Sequence, residues 1–268
     1  EVEIVPCFDT SADNIKSSVD RTPHHSRWVE ENLDEKQRKD VVILKRFLTA
    51  GGLYGSSLKV RGFSGYLCEI LISQYGSFEK LIDEAPEWEQ NKVIDVRDHH
   101  ENGLPSQLME KFEDEPLVVI DPVDPERNVS SVLSEEKLAS FMYLCWRFRS
   151  NPGMRFFEED DRDFNQFEIK QEVKKRADFI VLEFEKPEEV DDIIYPQMRK
   201  TVRRMEKLLQ KNDFRIFNSG FHVSEPTRLF LELESKPTGF YLMLFPQPRR
   251  LVCQPALLGS FLIGQRFG

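Results

Sequence analysis

The chain is 268 residues long, 31% of them charged, with a formal net charge of −10. That length suffices for two or three compact domains, each with its own apolar core, while no uninterrupted apolar run approaches the ~20 residues that cross a bilayer. Cys7, Cys68, Cys145 and Cys253 stand too far apart for a disulfide framework or a zinc site, and are expected as buried, reduced thiols.

Residues 1–8 alternate as a strand does, with Glu1, Glu3 and Val5 on one face and Val2 and Ile4 on the other. A polar connection over 9–18 leads to a Pro-containing turn over 21–28. From Lys36 the period becomes helical: Val41, Leu44, Phe47 and Leu48 share a face, and Gly51 and Gly52 stop the helix. Residues 65–74 form a nearly all-apolar helix that must be buried, and 77–84 a short amphipathic one. Next come a strand over 93–96, a polar loop around a short helix over 98–115, and a buried strand over 117–120. Ser134 caps a helix that runs to 148, with Glu135 and Glu136 in its first turn.

The charge run from Glu158 to Asp163 marks a domain boundary. A strand over 178–185, a helix over 195–211 and strands over 214–223 and 228–234 then give a small antiparallel sheet with a helix on one face. In the helix, Met198, Val202, Met205 and Leu208 recur at helical spacing and are expected to be buried, which leaves Arg199, Lys200, Arg203, Arg204, Lys207 and Lys211 on the other sides. From Ser235 to Gly268 there is no Asp or Glu and no period of either kind, so 236–268 is set apart as an atypical tail.

Three stretches suggest chemistry. Leu53 to Tyr75 passes from a Gly-rich loop to an apolar helix with Lys59 and Arg61 at its mouth, the pattern of an anion-facing helix entrance. Arg127 follows a buried strand and a turn rich in Pro and Asp, where a guanidinium can be aimed at a planar partner or paired with Asp121 or Asp124. The basic helix face can track phosphates or serve only as a solvated surface. The net negative charge does not exclude RNA, which responds to fields within ~8–10 Å, and the acids are clumped at 158–163 and 185–192. No basic-plus-apolar leader opens the chain, and a cytoplasmic location is expected.

Five segments, VPCF (5–8), DRTPHHSRW (20–28), LKRFLTAGGLYG (44–55), LYGSSLKVRGFSGYLCEILISQY (53–75) and DPVDPERNVSSVLS (121–134), occur in an order that resembles the archaeal-type class I CCA-adding tRNA nucleotidyltransferases. The resemblance covers most of residues 1–235. It implies an α+β chain in which 1–28 is the last edge of a nucleotidyltransferase palm, or catalytic head. It further implies a mostly helical central domain with short strands over 29–150, and a ferredoxin- or RRM-like β-α-β-β body domain over 164–235 that binds RNA.

By the same resemblance Glu3, three residues before Pro6, holds the place of a catalytic metal carboxylate for Mg²⁺, with glutamate where relatives carry aspartate. Thr22 and His25 touch the nucleotide's sugar and phosphates, Lys45 and Tyr54 reach the triphosphate, and Arg127 reads the base. Arg199, Lys200, Arg203, Arg204 and Lys207 face the tRNA acceptor arm. The residues alone also allow Glu3 as an exposed strand carboxylate, His25 as a group packed near Trp28, and Lys45 as a solvated lysine. The implied activity is template-independent addition of C, C and A from CTP and ATP, by an enzyme of which this chain is a fragment that is inactive alone. No membrane partner is expected, and a homodimer is allowed. Alternatives are a non-catalytic RNA-binding module and a poly(A)- or oligoadenylate-forming nucleotidyltransferase.

Overall fold

A computed structural model of the chain describes residues 6–8, 16–101, 103–158 and 178–234. Glu3, the strand over 1–8 as a whole and the tail over 236–268 lie outside the described residues. Two compact units are present, 1–160 and 161–268.

In the first unit, α1 (Arg21–Asn32) corrects the expected turn over 21–28. Pro23 is its third residue, where a backbone N–H would have no intrahelical acceptor, so the proline costs the helix nothing there. Helix α2 (Glu35–Ala50) starts in a capping box in which Asp34 accepts from the Gln37 amide and Gln37 from the Asp34 amide, at 2.8 and 3.0 Å. It buries Val41, Leu44, Phe47 and Leu48, the four residues its period singles out. Past its end Gly52 turns the chain at φ 65°, and the Leu53 amide reaches back to the Leu48 carbonyl at 2.7 Å.

Helix α3 (Gly65–Tyr75), capped by Ser64, buries Leu67, Cys68, Ile70, Leu71 and Ile72, and α4 (Phe78–Glu84) starts at the Ser77 cap. Strand β1 (Lys92–Ile94) pairs in parallel with β2 (Leu117–Val119), with α5 (Ser106–Lys111) between them in sequence. Helix α6 (Glu135–Ser150) follows its Ser134 cap. Apart from α5, whose Leu108 packs with Phe112, Val118 and Ile120 in a smaller cluster, these elements share one core that includes Phe47, Phe63, Leu71, Val119 and Phe141. Burial pushes the Cys68 thiol up to about 12, so it packs as an inert apolar group. Cys7, expected inside, is exposed.

In the second unit β3 (Asp178–Phe184), α7 (Asp191–Lys211), β4 (Ile216–His222) and β5 (Thr227–Leu233) form a three-stranded antiparallel sheet in the order β3-β5-β4. Helix α7 begins four residues before the expected start at Tyr195, and Pro196 lies inside it. Its buried face is Ile194, Tyr195, Met198, Val202, Met205 and Leu209. Leu208, expected inside, is 42% exposed. A step of four from Met205 to Leu209 keeps the buried row in line, whereas a second step of three turns Leu208 out by ~100°. Most of that row packs with Ile180, Leu229, Leu231 and Leu233 of the sheet in a separate core.

Candidate functional site

The site grows from α3. Gly62, just before it, lets the loop close: its amide donates to the Gly55 carbonyl at 2.8 Å, and a Cβ at Gly62 would stand 2.0 Å from the Leu53 carbonyl oxygen. No larger residue fits without opening the loop that carries Tyr54. Gly65, the first residue of α3, is approached by the Tyr54 hydroxyl and the Lys45 ammonium, which lie 3.3 and 3.4 Å from where its Cβ would be. Lys45 donates to Glu69 at 2.9 Å. Burial alone would lower the Lys45 ammonium, but the hydrogen bond and charge of Glu69 outweigh it and raise the group above its ordinary value. Lys45 is therefore a fixed cation at the positive end of an 11-residue helix, not the solvated lysine its helix position alone would give.

One residue further along α3, Tyr66 stacks on the His25 ring with centroids 3.9 Å apart. Its hydroxyl donates to Asp121 Oδ1 at 3.2 Å. Burial drives the Tyr66 phenol far above its ordinary value, so it stays protonated and serves as the donor. Asp121 Oδ2 accepts from Arg127 Nη1 at 2.6 Å and from His25 Nε2 at 3.0 Å. The carboxylate only accepts, so the proton on His25 sits on Nε2. Asp121 is fully buried. Burial raises its carboxyl, yet the hydrogen bonds from His25, the Val123 amide and Arg127 hold it below its ordinary value.

The turn that presents Arg127 is held by its own backbone and by its neighbours. The Asp121 amide donates to the Arg127 carbonyl at 3.0 Å. His99 and His100 donate to the Pro122 and Pro125 carbonyls at 3.2 and 2.9 Å, and Lys111 to the Glu126 carbonyl at 2.7 Å. Arg21 of α1 holds Asp124 through Nε and Nη2 at 3.1 and 2.9 Å. Below the turn Asn128 takes the place of a neighbouring strand. Its oxygen accepts from the Val119 and Ser130 amides, both at 2.9 Å, and its Nδ2 donates to the Leu117 carbonyl at 3.0 Å.

His25, Lys45, Tyr54 and Arg127 thus converge on the first turn of α3, while Thr22 lies exposed one helical turn before His25 on α1. Glu3 is not among the described residues. Asp121, Tyr66 and Glu69 were not named as site residues from the sequence, although a tyrosine and a glutamate inside an otherwise apolar helix are a signal that polar partners wait there. Among the described residues no group of three or more His, Cys, Asp and Glu could hold a metal ion.

In the second unit Lys200, Arg203, Arg204, Lys207 and Lys211 are all exposed. At ~100° per residue they fall within an arc of about 100°, opposite the buried row of α7. Arg199 lies half-buried on the flank.

Two consecutive domain models of one class of protein match this chain. Residues 39–158 match the second domain of tRNA nucleotidyltransferases, and 176–238 match the C-terminal domain of the CCA-adding enzyme. The chain is similar to the CCA-adding enzymes of Methanosarcina acetivorans, at 40% identity over 88% of this chain and 50% of the relative, and Methanocaldococcus jannaschii, at 41% over 82% and 49%. The enzyme of Archaeoglobus fulgidus is 40% identical over 84% of this chain and 50% of its own. The chain belongs to the CCA-adding tRNA nucleotidyltransferase family. It spans about half the length of the curated relatives it matches.

Proposed function

We propose that this chain holds the incoming nucleotide and the tRNA acceptor arm for an enzyme that adds C, C and A to the tRNA 3′ end from CTP and ATP, releasing pyrophosphate. The observation that supports it is the convergence of His25, Lys45, Tyr54 and Arg127, which lie far apart in sequence, around the first turn of α3. In this reading Lys45 and the α3 N-terminus neutralise the triphosphate, Tyr54 lies beside it, and Thr22 and His25 approach the sugar and phosphates from α1. Arg127 spends one Nη on Asp121 and turns the rest of its fork to the base. Cytosine and adenine share an exocyclic amine beside a ring acceptor, and a planar set of donors meets that acceptor while disfavouring uracil and guanine.

The exposed arc of α7 faces phosphates of the acceptor arm, through Lys200, Arg203, Arg204 and Lys207 with Arg199 at its side. The sheet unit is read as a ferredoxin- or RRM-like body over 164–235, residues 29–150 as the central domain and 1–28 as an edge of a nucleotidyltransferase palm. Mg²⁺ with Glu3 among its ligands, a cytoplasmic location and a homodimer belong to the same reading. No helix among the described residues is long and apolar enough to cross a membrane.

Calorimetric titration of CTP, ATP, UTP and GTP in the presence of an acceptor-stem hairpin tests the reading. Lys45→Ala should weaken all four alike, and Arg127→Ala should weaken CTP and ATP selectively, by a charge-assisted contact of about 1.5–3 kcal/mol. Equal losses across the four nucleotides in both variants would sink base reading by Arg127.

A further inference from the structure

The geometry points to Asp121 as the positioning residue for base selection: its buried carboxylate, which His25 and Tyr66 also bind, orients the guanidinium of Arg127. The inference rests on the reading of Arg127 given above and extends it to a residue that touches no nucleotide. Four donors meet on this carboxylate. Tyr66 Oη and the Val123 amide reach Oδ1 at 3.2 and 2.9 Å, and His25 Nε2 and Arg127 Nη1 reach Oδ2 at 3.0 and 2.6 Å. They come from α3, the turn itself, α1 and the end of the turn, so a single group ties together the elements assigned to base, sugar and phosphate.

The backbone of the turn has other supports. His99, His100 and Lys111 grip three of its carbonyls, and Arg21 holds Asp124. What Asp121 adds is the orientation of one side chain. A free arginine samples many rotamers and presents its donors in no fixed direction. The two favoured bases differ from the two disfavoured ones only in where donors and acceptors sit on one edge, so a guanidinium with no fixed plane cannot tell them apart. Selection depends on the plane.

Asparagine at 121 is the sharp perturbation because it keeps the shape, removes the negative charge and turns one of two acceptors into a donor. With its nitrogen in the place of Oδ2 it confronts Arg127 and His25, and with its nitrogen in the place of Oδ1 it confronts the Val123 amide. His25 can answer by moving its proton to Nδ1. In either orientation the negative charge is gone, and with it the charge-assisted hydrogen bond that holds the Arg127 guanidinium.

The experiment is the four-nucleotide titration on wild type, Asp121→Asn, Arg127→Ala and the double variant, each with an acceptor-stem hairpin. The expected result is that Asp121→Asn keeps affinity for all nucleotides within about three-fold of Arg127→Ala and loses most of the preference for CTP and ATP. The double variant should then be no less selective than Arg127→Ala alone, because Asp121 acts through that arginine. A merely structural role would weaken all four nucleotides equally and add to the loss in the double variant, and that outcome overturns the inference. A preference that survives in Asp121→Asn overturns it while leaving base reading by Arg127 intact. A wild type with no preference overturns both.

Should Asp121→Asn not fold, Tyr66→Phe decides. It keeps the ring stack on His25 and removes one hydrogen bond from Oδ1, and it is expected to narrow the preference by about two-fold with an unchanged far-ultraviolet spectrum. An unaltered preference in a folded Tyr66→Phe overturns the inference.

Discussion

The Asp121 cluster and the basic arc of α7 concentrate charge in opposite ways. At Asp121 one buried carboxylate gathers donors from positions 96, 55 and 6 residues away in sequence. On α7 five exposed cations lie within twelve consecutive residues, with no side-chain ion pair shown among the described residues. The first is a rigid arrangement in which each partner's loss strands a buried group, and the second is a nearly additive array in water. Specificity requires the former, because discrimination depends on direction. Salt-sensitive grip on a polyanion requires only the latter, because the phosphate field depends on charge and distance.

The contrast breaks most visibly at the support under the cluster. Replacing Asn128 by alanine leaves the buried Val119 and Ser130 amides without their acceptor. At about 1–3 kcal/mol for each stranded group, the first unit should lose about 2–6 kcal/mol. Trp28, Trp88 and Trp146, the only tryptophans, all lie in that unit, so urea unfolding followed by tryptophan fluorescence reports it alone. A loss below about 1 kcal/mol would mean that the carboxamide is not the structural partner it looks to be.

A smaller effect is expected on α7. Replacing Arg203, Arg204 and Lys207 together by alanine should flatten the dependence of log K on log salt for an acceptor-stem hairpin by about two to three units, at ~0.9 per duplex phosphate. Helix content should hardly change, since alanine is the better helix former. Fluorescence anisotropy across a salt series measures the slope, and an unchanged slope would assign RNA binding to another surface.

The smallest effect concerns the entrance to α1. Asp20 accepts from the Phe8, Lys16 and Ser17 amides and from the Ser17 hydroxyl. The Phe8 amide bond is the strongest influence, and against the opposing effect of burial these bonds bring the carboxyl down to about 2. A carboxyl depressed in the folded state stabilises it above the unfolded value of ~3.9, and that contribution disappears as pH falls toward 2. Asp20→Asn should therefore be less stable than wild type at pH 5, with the gap closing between pH ~4 and ~2. A gap that is constant over that window would show that the charge of Asp20 is not what anchors residues 8, 16 and 17.

Much of the helical architecture was legible because it is decided within one turn. The Asp34, Ser64, Ser77 and Ser134 caps satisfy amides three residues on, and the apolar period of α2 names its buried face residue by residue. Where local rules compete, the reading slipped. Pro23 suggested a turn although the first turn of a helix tolerates proline, and Leu208 was placed inside although a step of four, to Leu209, continues the row.

The sequence by itself determined the α+β class, the basic side of α7 and the family, because each is carried by residue types at short, regular spacing or by contiguous motifs. Only the tertiary structure decided that Lys45 is held by Glu69, that Tyr66 stacks on His25, and that Arg127 shares its carboxylate with both His25 and Tyr66. These pairs are brought together by helix packing across a common core, and no spacing along the chain encodes which of several carboxylates a given cation will meet. Asp121 and Asp124 were equal candidates for Arg127 on paper. Burial and the competing claim of Arg21 on Asp124 settled the choice.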